Sequence, residues 1–382
     1  MKLILLLALS LVADTGTSPA DYAARALHER NPQARLELLG KALAIDPNYV
    51  PALRHRAALY AVLDKKQEAL ADIARAADLS PDDPQVNALA GGYAEEAKDH
   101  GRAAGFYRRA VDADTDNAEL HYRLAWALIR ARRSDDALRE ADFLVERYPD
   151  QSFPYEVRAD ACEWLGRYAD AVRDISLLIE RTPNAARMYI HRSSVERTMG
   201  DAHAALVDAQ KAIDLGEQTP SALSARGLAY EALGQWELAL ADFSAASEHR
   251  DEERRYYVIW SCIVLRKQGK PADAERFAKE SLKGLKPDEW ITPVIRFLAG
   301  EIKEDEVFRA ARKAEGETLR EQLCEAHYYL GAHRLTVGDR AGAEKLFRDC
   351  IALRVCNFYE HGFAVQELRK LETGKKLTTD GH

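Results

Sequence analysis

Residues 220–253, which read PSALSARGLAYEALGQWELALADFSAASEHRDEE, contain the pattern that decides the fold of this chain. Leu223, Gly227 and Tyr230 follow the three- and four-residue spacing of one face of a helix. Gly234 stands where that helix would end, because glycine tolerates the left-handed backbone of a helix stop. A second apolar run follows directly. The stretch therefore predicts two antiparallel helices joined by a short turn.

The same pattern recurs every 34 residues over six consecutive units. Two helices approach closely only where the facing side chains are small, and a large residue there would cost about 1–3 kcal/mol. The recurring small residues are Ala57, Gly91, Ala125, Ala159, Ser193 and Gly227 in the first helices and Ala69, Ala103, Ala137, Ala171, Ala205 and Ala239 in the second. One unbroken register of this kind predicts an all-α fold of repeated helix pairs.

The pattern resembles the tetratricopeptide repeat family, with Arg226-Gly227, Gly234, Ala239 and Phe243 at that family's positions. The resemblance implies a solenoid, a right-handed superhelix of antiparallel helix pairs whose first helices line a concave face. It also implies binding of proteins, as a peptide or a helix, in that concave groove.

The register divides the chain into five predicted segments, of which the longest is the repeat array. The limits of the segments follow from the positions at which the 34-residue register breaks and from the apolar stretch at the start of the sequence. The segments are 1–20 as a signal peptide, 21–282 as an array of about seven repeats, 283–320 as a degenerate helix pair, 321–371 as a last repeat with a capping helix, and 372–382 as a disordered tail.

The C-terminal third carries a narrower resemblance. Four short motifs follow one another there: Phe297-Leu-Ala-Gly300, Tyr328-Tyr-Leu-Gly331, Gly338-Asp339 and Asn357-Phe358-Tyr-Glu360. This order is similar to the end of the NlpI group of bacterial envelope lipoproteins. The resemblance implies an envelope protein that docks peptidoglycan hydrolases or similar partners. The chain departs from the group in having more repeats and no cysteine before Cys162.

The net charge of the chain limits the class of its partners, and its first residues indicate the cellular compartment. The net charge is −8 and no long run of Lys or Arg occurs, so the sequence gives no footprint for nucleic acid. Lys2 precedes an apolar run that ends at Ala13, which is typical of a secretory signal cleaved after Ala13 or Ala20. An apolar first helix of the array is the alternative. Without a lipobox cysteine, we expect a periplasmic or secreted protein.

The inward positions of the first helices supply the candidate partner-binding residues. Tyr122, Trp126 and Arg130 recur every four residues and so share one helical face. Tryptophan, tyrosine and arginine are common anchors of protein interfaces. The alternative, that these aromatic side chains fill contacts between neighbouring repeats, stays open. The candidate residues are Tyr122, Arg123, Trp126, Arg130, Trp164 and Arg197.

The cysteines and histidines suggest a disulfide but no metal site. Cys324 opens one helix, and Cys350 and Cys356 lie near the end of its antiparallel partner. A disulfide from Cys324 to Cys356, or to Cys350, is therefore predicted, with three buried thiols as the alternative. His327 and His333 are six residues apart, which does not place them on one helical face, so we expect no metal.

Motifs of catalysis are absent from the sequence, which has no GxSxG, no HExxH and no glycine-rich phosphate loop. We therefore expect no enzyme activity and no cofactor.

Three hypotheses for the function stay open, and the third of them is an enzyme whose site no motif reveals. The first is a non-catalytic scaffold or adaptor in the bacterial cell envelope. The second is an assembly or secretion factor that presents substrates to a membrane complex. Peripheral membrane association through partners and the oligomeric state stay open.

Overall fold

The computed structural model describes residues 18–216, 218–249, 253–283, 285–287, 289–355 and 359–379. Within these ranges the chain forms α-helices throughout and contains no strand, which confirms the predicted all-α tetratricopeptide solenoid. The predicted signal peptide lies almost wholly outside the described ranges. None of the helices in those ranges has both the length and the hydropathy of a membrane span.

Chain contacts divide the protein into two compact units, Met1–Val157 and Arg158–His382. The first unit is built from four antiparallel helix pairs. Its helices are α1 (Pro19–His28), α2 (Pro32–Ile45), α3 (Val50–Val62), α4 (Lys66–Leu79), α5 (Pro84–Glu96), α6 (His100–Ala113), α7 (Ala118–Arg130) and α8 (Ser134–Arg147). The next helix, α9 (Phe153–Trp164), begins in the first unit and ends in the second.

The second unit continues the alternation of first and second helices and ends on a single long helix. Its helices are α10 (Tyr168–Arg181), α11 (Ala186–Met199), α12 (Ala202–Asp214), α13 (Pro220–Ala232), α14 (Trp236–Glu248), α15 (Arg254–Lys267), α16 (Pro271–Ser281), α17 (Thr292–Leu298), α18 (Glu304–Ala311), α19 (Gly316–Thr336), α20 (Arg340–Ala352) and α21 (Tyr359–Thr379). The short helices α17 and α18 occupy the segment in which the repeat register breaks. Helix α21 runs past residue 371, into the segment for which we expected a disordered tail.

The first helix of each regular pair ends on a residue with left-handed backbone. At Gly166, Gly200 and Gly234 this conformation costs little, as the sequence indicates. The three preceding repeats place ordinary residues at the equivalent position, where each carries a cost of roughly 1–2 kcal/mol. These residues and their φ angles are Asp64 (56°), Lys98 (59°) and Arg132 (61°). The left-handed residue after the first helix therefore occurs in each of these repeats whatever the residue type. A glycine there only lowers the conformational cost.

The helix crossings of several pairs match a small residue to a large one. A Cβ atom placed on Gly227 would lie 2.8 Å from a ring carbon of Phe243, and one on Gly91 would lie 2.6 Å from Tyr107. Gly331 has the same relation to Phe347, at 2.7 Å. In each case the aromatic ring follows the glycine by sixteen positions and fills the space that a side chain would occupy. A glycine where the two helices cross therefore makes room for an aromatic ring of the second helix.

A buried ion pair joins the two helices of four pairs. In each, an arginine of the first helix donates two hydrogen bonds to an aspartate sixteen positions later. The aspartates are almost completely buried, with 4–10% of the side chain exposed. The pairs are Arg56–Asp72, Arg158–Asp174, Arg192–Asp208 and Arg226–Asp242. We call these contacts the Arg–Asp ladder; they were not predicted from the sequence.

The ladder also connects neighbouring repeats of the second unit. Arg226 donates from Nη1 to Gln210 of the preceding second helix at 2.8 Å. Arg192 donates in the same way to the Ser176 hydroxyl at 2.9 Å. Each of these arginines therefore holds its own helix pair together and fixes that pair to the one before it.

Candidate functional site

Helix α7, a first helix of the first unit, carries a small aromatic cluster. The Tyr122 and Trp126 rings meet edge to face, with centroids 6.2 Å apart. Tyr122 makes a second edge-to-face contact, at 5.6 Å, with Phe153 at the start of α9. Both α7 rings are half-buried. The cluster therefore contributes to packing between neighbouring first helices and still offers part of its surface to solvent.

Two exposed arginines border this cluster. Arg130 is half-exposed and lies 3.3 Å from a carboxylate oxygen of Glu95 on α5. Glu95 also accepts a hydrogen bond from the Tyr107 hydroxyl at 2.9 Å. Arg123 pairs with Glu119 one turn earlier at 2.6 Å. We call Tyr122, Trp126, Arg123 and Arg130 the α7 patch. Its two arginines are more exposed than its two aromatic rings.

First helices of the second unit pack against the chain's own last helix. The α21 side chain Phe363 packs between Trp260 of α15 and Tyr328 of α19, with centroids 4.7 Å and 5.3 Å away. The Arg197 guanidinium of α11 lies 4.0 Å from the centroid of the same ring. From the sequence we expected Arg197 to line an open groove, whereas in the folded chain it is covered. The side chain is only 6% exposed because α21 lies over it.

Polar contacts fix α21 at three places. Gln366 donates to the Thr198 carbonyl oxygen of α11. Glu367 lies 3.8 Å from the Lys267 ammonium of α15. The Tyr329 hydroxyl of α19 donates to Glu360 at 2.5 Å. Helix α21 therefore contacts the first helices of several pairs and does not merely cap the last one. The remaining candidate, Trp164, ends α9 and is half-buried.

Two carboxyl groups are buried together where α19 and α21 meet. Glu325 accepts hydrogen bonds from the Tyr256 hydroxyl at 2.7 Å and from the Trp290 indole. Burial, and then the charge of Glu360, raise the pKa of Glu325 to about 8. Burial likewise raises the pKa of Glu360. At neutral pH the pair therefore keeps a proton, because two adjacent buried carboxylates do not ionise together.

Among the residues that the structure describes, one group of side chains has the composition of a metal site. Ligand atoms of Asp160, Glu163 and His191 lie within 4.8 Å of one another. His191 and Glu163 are already hydrogen-bonded. Burial lowers the pKa of His191, but the hydrogen bond and charge of Glu163 outweigh it and raise the pKa to about 9. His191 is therefore a cation at neutral pH, and this charge favours an ion pair over a metal ligand.

Cys324 and Cys350 of the last repeat are buried in the core, whereas His327 and His333 are half-buried. The His327 ring is tilted against Phe308 and the His333 ring meets Phe297 edge to face, so the two imidazoles pack against different rings. The Cys324 and Cys350 sulfur atoms lie 3.2 Å apart as free thiols, whereas Cys356 lies outside the described ranges.

The disulfide stays a prediction, and the geometry favours Cys350 as the partner of Cys324. We expect oxidation to join the two, slowly, because burial raises the pKa of the Cys350 thiol and lowers its thiolate fraction. Non-reducing mass spectrometry of oxidised protein would identify the linked peptides. A peptide that links Cys324 to Cys356 would contradict the assignment to Cys350.

Comparison with known proteins agrees with this architecture. A family model described as "Tetratricopeptide repeat" matches residues 94–155. A lipoprotein NlpI homologue of Haemophilus influenzae is 35% identical over 149 residues, which is 38% of this chain. The chain spans 47% of that relative's length, or about half.

Solved structures of repeat proteins are also similar. A tetratricopeptide repeat protein from Parabacteroides merdae has 18% identity and a TM-score of 0.48, covering 64% of this chain and 97% of the other. YrrB, described as a protein with an unusual peptide-binding site, has 20% identity and a TM-score of 0.41, covering 50% and 98%. The chain therefore has the fold of an all-α tetratricopeptide repeat solenoid, with a family match over residues 94–155 and a likeness to the NlpI group over part of its length.

Proposed function

We propose that the protein is a non-catalytic scaffold of the bacterial cell envelope that binds partner proteins through the α7 patch. The observation that supports this proposal is the combination of half-buried Tyr122 and Trp126 with exposed Arg123 and Arg130 on one inner helix. Aromatic anchors surrounded by arginines are common at the centres of protein interfaces. A partner segment with an apolar residue beside a carboxylate would match both features.

The envelope assignment rests on the likeness to the NlpI homologue, whose name describes a lipoprotein. The apolar start of the sequence is consistent with export, and cleavage after Ala13 or Ala20 would leave a periplasmic or secreted chain. Peptidoglycan hydrolases are the class of partner that the NlpI resemblance implies. Contact with a membrane would then come through the partner.

The charge reversal Arg130→Glu tests the α7 patch. We expect it to weaken partner capture about tenfold, because a rim charge of the wrong sign repels a complementary partner. The melting temperature should hardly change, since the exposed pair with Glu95 contributes only about 0.2–1 kcal/mol. The measurement is quantitative pull-down from envelope fractions together with a thermal melt.

The matched control for this experiment is Arg139→Glu. Arg139 is 70% exposed and lies on α8, the second helix of the same pair. Equal capture by wild type and the Arg130→Glu variant would contradict the proposal. Capture that survives only without detergent would indicate a membrane complex as partner, and so favour an assembly or secretion factor.

A further inference from the structure

We propose that the inner face of the second unit is a docking site for an amphipathic partner helix, and that α21 occupies this site until the partner displaces it. The partner helix would carry an aromatic residue followed one turn later by a carboxylate. This inference rests on the proposed scaffold function and adds the class of partner to it. The site is formed by α11, α15 and α19, with Glu231 of α13 at its edge and α20 beside it.

The chemistry of the site is visible in how it holds α21. Phe363 enters an aromatic pocket formed by Trp260 and Tyr328, under the Arg197 guanidinium. One turn later Glu367 meets Lys267, which also pairs with Glu231. A ring and a carboxylate four positions apart lie on the same face of a helix. Any helix with this pair, and with an apolar face, could make the same contacts.

The fit of α21 is incomplete, which would allow displacement. A cavity of about 70 Å³ remains along its edge, lined by Arg197, Gly200, Glu231, Gln366 and Glu367. Docking also buries Glu360 close to Glu325, and burial raises the pKa of both carboxyl groups. A partner helix without this glutamate would avoid that cost. The contacts of α21 are therefore adequate to hold it in place but leave room for a better ligand.

A reversible lock on α21 tests the proposal in the full chain. A Cβ atom placed on Gly362 would lie 3.8 Å from the Thr198 Cβ, which is the usual separation across a disulfide. The double variant Thr198→Cys/Gly362→Cys should therefore fix α21 on α11 when oxidised and release it when reduced. The probe is a fluorescent synthetic peptide with the sequence of residues 357–375, which competes with α21 for its own site.

We expect the reduced double variant to bind the peptide at least tenfold more tightly than the oxidised one, as measured by fluorescence anisotropy. The peptide carrying Phe363→Asp should bind neither form. The single variant Thr198→Cys, treated in the same way, should show no difference between oxidised and reduced states. A second variant, Phe363→Asp in the chain itself, should raise peptide affinity at least tenfold over wild type, with melting curves reporting whether it stays folded.

Three results would overturn the proposal. Equal peptide affinity in the locked and unlocked states would show that α21 does not cover the site. Equal binding of both peptides would show that the aromatic pocket is not used. Dimerisation of the released chain without peptide binding would make a second copy the occupant. Since this assay needs no envelope partner, its failure is separate from a failure of the Arg130→Glu pull-down.

Discussion

Replacing Asp208 by alanine should lower the free energy of unfolding by about 3 kcal/mol, because it would leave the Arg192 guanidinium part-buried without its carboxylate. Arg192 donates to both oxygens of Asp208, at 2.6 Å and 2.8 Å, and only 6% of the aspartate side chain is exposed. Its remaining partners are the Ser176 hydroxyl and the Glu196 carboxylate, which is 3.8 Å away, and neither replaces the two short hydrogen bonds to Asp208. Chemical denaturation followed by circular dichroism measures the loss.

The double variant Arg192→Met/Asp208→Leu should recover most of that stability, because it removes both charges and keeps the volume apolar. The matched control is Asp78→Ala, which breaks the exposed pair between Arg109 and Asp78. We expect the control to cost less than about 1 kcal/mol. A loss below that value for Asp208→Ala would mean that the Arg–Asp ladder has no structural role.

Replacing Gly227 by alanine should destabilise the protein by about 1–2 kcal/mol, although alanine is the better helix former. The new methyl group would lie 2.8 Å from the Phe243 ring, so either the ring or the helix must move. The intrinsic gain of alanine over glycine, about 1 kcal/mol, offsets only part of this strain. Thermal and chemical denaturation would both report the effect.

Another glycine provides a control, because its replacement by alanine should raise the stability instead of lowering it. Gly105 lies inside α6, and no atom would come within 4 Å of a Cβ placed there. Gly105→Ala should therefore stabilise the protein by about 0.5–1 kcal/mol. If Gly227→Ala were also stabilising, the proposed match between glycine and aromatic ring would be wrong.

A compensating substitution tests the same crossing from the other side. Two pairs of the chain place alanine and isoleucine at the equivalent positions, and all four of these side chains are fully buried: Ala57 with Ile73, and Ala159 with Ile175. The double variant Gly227→Ala/Phe243→Ile copies this combination. It should be more stable than expected from the sum of the two single changes. The smaller isoleucine removes the clash that the alanine methyl group makes with the ring, and that methyl group fills part of the cavity that the loss of the ring leaves.

The sequence by itself determined the helix pairs and their period. Small residues such as Ala125 and Ala159 recur in register, and stops such as Gly200 follow the first helices. These signals are local, so they can be detected along the chain without knowledge of distant contacts. The stops at Asp64 and Lys98 escaped detection because their residues carry no glycine signal, although their backbone is the same.

The Arg–Asp ladder is present as a pattern in the sequence, but it can be interpreted only with the tertiary structure. Arg158, Arg192 and Arg226 recur at the repeat period, and an aspartate follows each by sixteen positions. The pattern is present in the sequence, but its meaning depends on knowing which faces of two helices meet. A search for charges of opposite sign at the repeat period would have found it.

Only the tertiary structure decided where the last helix lies. Gln366 contacts Thr198 across 168 positions of sequence, and Phe363 covers Arg197. The local sequence of α21 predicts a helix but does not encode the surface on which it packs. That choice depends on the aromatic pocket and on Lys267, which come together only when several repeats have stacked. Arg197 therefore reads as an open groove residue in the sequence and is buried in the folded chain.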